Sequence, residues 1–398
     1  MTEETAEPMR RDKQHRTVWS VILASQLVLA IITAGGIFWF YHQLNNNIAD
    51  GEKIQHASGV KKKHLDGAPK QPINMLIMGS DARDCEGCNI DGLNEIGQRS
   101  DTVILLHVSA NRKKAYGVSL PRDAIVDRPD CTQEDGEVVP GADAVMFNTA
   151  FAVGGPQCAV QTVESLTGVY IDHFLVLNFE GFKDMVDAVD GVEVCIPEDV
   201  DDDAHNIHLS AGTQTLTGRD ALNYVRERYM LSVTGDIGRM KRQQAFIASM
   251  IKKVMSAGIL SQPTKVYEFV DAVTSSIQVD SELDTVGKLV DLAMEVKDTG
   301  LDEIKFITVP IAEYPLDPNR LIWTEDAKDL WQRIIDDVSL GKHLSATSIS
   351  AGDPVGPSDD KTEEPGDTET DNGSQTDDED DETATQKAAE RRAAGLCA

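Results

Sequence analysis

An uncharged run from Thr17 to Tyr41 constrains this chain more than any other feature. A helix rises ~1.5 Å per residue, so about 20 residues cross the ~30 Å hydrocarbon layer of a bilayer. Trp19 lies near one end and Trp39, Phe40 and Tyr41 close the other, the placement of interfacial anchors. The competing reading is a cleaved secretion signal. The run is long for a signal core, however, and Asn-rich sequence follows it instead of a small-residue cleavage site. It reads as an uncleaved anchor. Arg10, Arg11, Lys13 and Arg16 precede it, whereas the next Lys or Arg is Lys53. Basic flanks stay cytoplasmic, so the expectation is a single-pass cell-membrane protein whose later residues are extracellular.

The formal net charge of −30 divides unevenly. From Ala351 to Ala398 there are 15 acidic and 4 basic residues, giving −11 and leaving −19 for the rest. That last stretch has few large apolar side chains to offset its ordering entropy, so it is expected to be disordered. An acidic body argues against nucleic acid as a partner, because phosphate backbones are met by net positive surface. Six cysteines lie beyond the anchor, in what should be an oxidising space. Cys85 and Cys88 have no second pair at zinc-like spacing, which favours a small disulfide loop over a metal knuckle. Cys131 and Cys158 sit in loop-like sequence where they could bridge, and Cys195 lies in an apolar run that reads as buried.

Residues 42–71 are polar and lysine-dotted, and read as a stalk. From Ile73 the pattern alternates. Ile73–Met78, Thr102–Val108, Ala115–Leu120, Phe174–Leu177, Val192–Val194 and Ile304–Val309 read as strands. Val160–Leu166, Phe182–Val189, Ala221–Val225, Asp236–Met255, Ser281–Glu295 and Glu325–Asp337 read as helices. This predicts an α/β domain over 72–340 with one mixed central sheet covered by helices, behind cytoplasmic residues 1–16 and the 17–41 span. A disordered acidic tail over 341–398 would follow.

Metalloprotease, Walker, nucleophile-elbow and dinucleotide signatures are absent. Arginines and aspartates instead stand where strands end, positions that face a cleft in α/β sheets. The bland alternative is surface ion pairing, which is worth little. Gly79-Ser80-Asp81-Ala82-Arg83 and Arg99-Ser100-Asp101-Thr102 place two carboxylates on adjoining strand ends, able to share Mg²⁺. Ser119-Leu120-Pro121-Arg122-Asp123 follows another strand. In Val225-Arg226-Glu227-Arg228, a helix ending at Val225 would leave both arginines pointing one way, side by side and ready for an anion. Asp236 is a candidate N-cap for the helix that carries Arg239 and Gln243 on one face. Phe246 and Met250 continue that face, so it runs from charged to apolar, as a ligand with an ionic head and a hydrocarbon tail would require. An ordinary amphipathic helix gives the same pattern.

The succession of these motifs, together with Asn-x-Ala-Phe-x-x-Gly-Gly-Pro from Asn148, Ile-Asp-His-Phe from Ile171, Gly-Val-Glu-Val from Gly191 and Asp-x-Gly-Arg-x-x-Arg-Gln-Gln from Asp236, resembles the LytR–CpsA–Psr family. The likeness runs from about Asn74 to Ile251 and weakens toward residue 340. It implies a phosphotransferase that moves a glycopolymer from a polyprenyl diphosphate carrier to the C6 hydroxyl of N-acetylmuramic acid in peptidoglycan. Asp81 and Asp101 would hold Mg²⁺, or Mn²⁺ in its place. Arg83, Arg99, Arg122, Arg226, Arg228, Arg239 and Gln243 would surround the diphosphate, and Phe246 and Met250 would line a lipid cavity. Arg and Mg²⁺ suit phosphoryl transfer, which is mostly positioning and charge stabilisation. Either Asp81 or Asp123 could take the acceptor's proton.

Two departures stand out. Met146 occupies a position that is lysine in many members, and the Arg83–Arg99 loop is long and carries Cys85 and Cys88. Cysteine placement, Gly-Gly-Pro-Gln-Cys and Val-Glu-Val-Cys-Ile-Pro resemble actinobacterial members, which leaves teichoic acid, arabinogalactan or another polysaccharide as the cargo. A polyprenyl diphosphate phosphatase using water, and a noncatalytic envelope regulator, are the competing readings.

Overall fold

The structure, a computed structural model, describes residues 8–48, 51–80, 100–203, 207–228, 230–256, 262–355 and 378–397. It divides into two units, Met1–Asn47 and Ile48–Ala398. The first is a helix, α1 (Pro8–Asn47), longer than the apolar run it contains. Its Val18–Asn47 portion contains an 18-residue window with a mean hydropathy of 2.2 and is long and apolar enough to cross a membrane.

The second unit is built on a seven-stranded sheet. Its strands are β1 (Ile73–Ser80), β2 (Ser100–Val108), β3 (Ala115–Leu120), β4 (His173–Asn178), β5 (Ile277–Val279), β6 (Ile304–Thr308) and β7 (Ile349–Ser350). They lie in the order β5-β4-β1-β2-β3-β6-β7. The pairs β1/β4 and β3/β6 are parallel and the others antiparallel, so the sheet is mixed, as the sequence indicates. Helices follow in chain order: α2 (Thr149–Thr167), α3 (Phe179–Ala188), α4 (Gly218–Arg226), α5 (Asp236–Ser256), α6 (Pro263–Thr274), α7 (Val286–Val296) and α8 (Asp326–Ile335).

Alternation along the strands loads both faces of the sheet. Leu76, Met78, Leu105 and Val118 point into a core with Phe151, Val160 and Val163 of α2 and Leu330, Trp331 and Ile334 of α8. Ala115, Ile304 and Phe306 point to the other face, against Ala245 and Ala248 of α5. Gly117 is required there, since a Cβ would fall 2.5 Å from Phe306 Cδ1. A third cluster joins α3, α4 and α5 to the strand Val192–Ile196. That strand was legible, but it pairs with Gly212–Leu216 outside the central sheet.

Three expectations change. The stalk is not free along its length. Gln55 N donates to Gln157 Oε1 at 3.0 Å, Ala57 N to Glu164 Oε2 at 2.7 Å, and Lys62 pairs with Asp172, so the segment lies against the domain. The domain does not stop at 340, because β7 joins the sheet and a further helix occupies Gly341–Ser345. Nor is all of the tail without structure. Asp378–Ala393 is helical, Leu396 is buried, and Cys397 is bonded to Cys195 across 202 residues. Composition cannot reveal a short apolar end that docks. Cys131 and Cys158 are also bonded. The Cys85–Cys88 pairing lies outside the described residues.

Candidate active site

Register places the motifs at one end of the sheet. Ser80, the residue before Asp81, lies opposite Asn178 on β4 and Ser100 on β2. Leu120 pairs with Val103, and Ser119 with Thr308. The loops leaving β1, β3, β4 and β6 and the start of β2 therefore share an edge. Between Gly79 and Ser80 the β1/β2 register shifts and skips Asp101. A bulge of this kind re-aims a side chain, here out of the ladder and toward the loops. Pro121 stops β3, and the next turn is pinned by Asn148 N donating to Arg122 O at 3.1 Å and Phe147 N to Ala124 O at 2.8 Å.

Arg122 bonds to Asp101 through Nη1. Its Nε lies 3.4 Å from Asp123 Oδ2, and its Nη2 lies 3.7 Å from Asp236 Oδ1. Asp236 opens α5. Its Oδ1 is 2.9 Å from Arg239 Nη2 and 3.8 Å from Arg228 Nε. Three guanidinium groups thus converge on one carboxylate, and Arg122 is shared with Asp101 and Asp123 as well. Arg239 is 2% exposed and its Nε has no hydrogen-bond partner among the described residues. Burial is the main cause that pushes its pKa down to about 10, with Arg228 and Arg122 adding to the fall and Asp236 opposing it. At Asp101 burial works upward, but the neighbouring Arg122 outweighs it and holds the carboxyl below its ordinary value. Arg122 is held above its own ordinary value: burial works against its charge, and Asp101 and Asp236 more than offset that.

Two residues are placed otherwise than their spacing suggests. Helix α4 continues through Arg226 and the chain becomes extended only at Glu227, with φ −58° and ψ 137°. Arg226 and Arg228 are therefore not a side-by-side pair. Arg226 stacks over Phe179, 5.0 Å from the ring centroid, and Arg228 turns to Asp236. Gln243 Nε2 donates to Val225 O at 3.1 Å, tying α5 to α4. Phe246 is fully buried, 5.3 Å from Phe182 and 6.4 Å from Tyr224 between ring centroids, with Met250 packed at the margin of that cluster. Asp81, Arg83 and Arg99 lie outside the described residues.

Sequence reading missed Asp236 as the hub, although the motif it opens was visible. It also missed Arg320, whose Nη1 donates to Asp123 Oδ1 at 3.2 Å. Arg320 belongs to a hairpin, Ile311–Tyr314 with Asp317–Trp323, that carries no motif. Gln244 was quoted without a role. Its Nε2 bridges Ser119 Oγ at 2.9 Å and Thr308 Oγ1 at 3.0 Å, joining α5 to β3 and β6 beneath the site.

Fold and site together define an α/β protein that gathers arginines and aspartates where its strands end. The LytR_cpsA_psr family model matches residues 38–334, and the chain belongs to that family. It is similar to the cell wall biosynthesis protein LcpA of Corynebacterium glutamicum, 30% identical over an alignment of 291 residues, with coverage of 67% of this chain and 54% of that one. It is also similar to the polyisoprenyl-teichoic acid–peptidoglycan teichoic acid transferase TagU of Oceanobacillus iheyensis, 30% identical over 70% of this chain and 82% of that one. The chain thus spans about half the length of the first of these relatives. A LytR-Csp2A-Psr enzyme from Actinomyces oris shares the fold, with a TM-score of 0.54, 20% identity, and coverage of 73% of this chain and 98% of that one.

Proposed function

We propose that this protein is a membrane-anchored phosphotransferase that moves a glycopolymer from a polyprenyl diphosphate carrier to peptidoglycan, at the C6 hydroxyl of muramic acid. The observation that carries this is the convergence of Arg122, Arg228 and Arg239 on Asp236 beside Asp101. Counting Arg320, four guanidinium groups meet the three carboxylates of Asp101, Asp123 and Asp236 among the described residues, and a diphosphate would neutralise the excess. The TagU relative is named for transfer of a polyisoprenyl-linked teichoic acid to peptidoglycan, the same class of donor and acceptor. Arg10, Arg11, Lys13 and Arg16, ahead of the apolar run of α1, support an N-terminus inside and a catalytic unit outside the membrane.

In the reaction the acceptor oxygen bonds to the polymer-proximal phosphorus, and the bridging P–O bond to the polyprenyl phosphate breaks. The hydroxyl proton passes to a carboxylate. That carboxylate is Asp81 or Asp123, of which Asp123 lies 3.4 Å from Arg122 and 3.2 Å from Arg320. Arg122 and Arg239 hold charge that shifts onto the leaving phosphate, in a largely dry setting where such contacts count most. Arg122 bonds to Oδ1 of Asp101, and the carboxylate is a hard oxygen donor. With Asp81 it would hold Mg²⁺ or Mn²⁺, which supplies Lewis-acid neutralisation of the diphosphate.

The test is incubation of the full chain in detergent with lipid-linked polymer, Mg²⁺ and muropeptides. Polymer joined to muropeptide through a phosphodiester supports the proposal. Polymer phosphate released without a linked product shows that water is the acceptor and eliminates ligation.

A further inference from the structure

Arg242 is fully buried, and its side-chain contacts lie away from the carboxylates that Arg122, Arg228 and Arg239 share. Its Nη2 donates to Glu227 O and lies 3.7 Å from Glu227 Oε2, while its Nη1 donates to Ala394 O at 3.0 Å. Glu227 is itself 3% exposed. Its carboxylate accepts the amides of Met230 at 2.9 Å and Leu231 at 3.0 Å, closing a turn around the segment that starts with Arg228. The far side of this segment rests on the chain's end. Ser232 Oγ and Thr234 Oγ1 donate to Ala393 O at 3.2 and 3.3 Å. That end is fixed by the Cys195–Cys397 bond and by Arg391, whose Nε donates to Cys397 O at 2.8 Å. The stretch from Arg228 to Asp236, which supplies two members of the cluster, is thereby held from beneath by one buried guanidinium and the C-terminal turn.

We infer that Arg242 is a positioning residue for the arginine cluster, acting through Glu227, and that the turn Ala393–Cys397 is part of the same support. This rests on reading the cluster as the diphosphate site. The physical reason is that a buried charge is costly unless paired and hydrogen-bonded, and here it is paired with the Glu227 carboxylate and donates to main-chain oxygens of the two segments it joins.

The full chain in detergent micelles is compared with Arg242→Met, Arg242→Lys and Cys397→Ser. Three quantities are read: amide exchange at Met230 and Leu231, affinity of folded protein for inorganic pyrophosphate with Mg²⁺, and Tm. Arg242→Met is expected to speed exchange at both amides about 30-fold and to weaken pyrophosphate about tenfold. Arg242→Lys keeps the charge but reaches fewer carbonyls, and restores part of both. Cys397→Ser moves the same readouts in the same direction. A lower Tm with wild-type affinity and unchanged exchange overturns the inference, because it leaves Arg242 a stabilising residue only. If the Arg242 variants fail to fold, Cys397→Ser decides, since it removes no buried charge. If the unmodified chain does not bind pyrophosphate, the diphosphate reading fails, and exchange at Met230 and Leu231 alone then judges whether Arg242 orders the segment.

Discussion

Asp236 Oδ1 stands 2.9 Å from Arg239 on its own helix and 3.7 Å from Arg122 at the end of a strand more than a hundred residues earlier. That carboxylate joins the two motif groups into one site. It sets what each change below should do.

Asp101 is held below its ordinary carboxylate value by Arg122. A carboxyl lowered on folding contributes stability above its unfolded value and loses it as pH falls through the folded one. A double-mutant cycle with Asp101→Asn and Arg122→Met should give a coupling of about 1–3 kcal/mol near neutral pH, fading as pH falls below the ordinary carboxylate value of 3.8. Urea unfolding at several pH values measures it.

Gly238 lies in the Asp-x-Gly-Arg motif, and a Cβ there would fall 1.8 Å from Ser232 Oγ. Helix propensity alone favours Gly238→Ala by about 1 kcal/mol. The collision reverses the sign, and a net loss of about 1–3 kcal/mol is expected. Because Ser232 lies between Arg228 and Asp236, pyrophosphate affinity should fall as well, readable by calorimetry.

The two bonded cysteine pairs close loops of very different length, with separations of 202 and 27 residues. If loop entropy governs, removing Cys195–Cys397 costs about 2 kcal/mol more than removing Cys131–Cys158. Paired Cys→Ala variants compared by chemical unfolding test this. Equal costs would show that local packing governs instead.

Lys241 is pushed down to about 8, chiefly by burial, with Arg391 and Lys387 adding to it and Glu390 opposing. Below pH 8 the cost of holding its charge is fully present. Between that value and its ordinary 10.5 the unfolded chain binds more protons, so stability should rise with pH. In Lys241→Met that slope should vanish, as thermal unfolding between pH 7 and about 10 would show.

Much of the architecture was legible because strand ends carry punctuation. Gly79, Pro121 and the strand-end Asp101 mark where loops gather, and β1, β2, β3, β4 and β6 each announce themselves by short apolar runs. What failed had physical causes. One extra helical residue at Arg226 rotates it away from Arg228 onto Phe179. The packing of Phe246 against Phe182 and Tyr224 was not legible, since periodicity does not say what packs opposite. The Cys195–Cys397 link joins positions too distant for spacing to pair, and Arg320 arrives on a hairpin without a motif.

The most direct measurement is phosphorus NMR of the lipid-linked donor titrated with the full chain in detergent and Mg²⁺. Both diphosphate resonances should shift or broaden with the unmodified protein and stay in place when Arg122, Arg228 and Arg239 are all replaced by Gln. Equal perturbation by the two proteins would contradict a diphosphate held by these arginines.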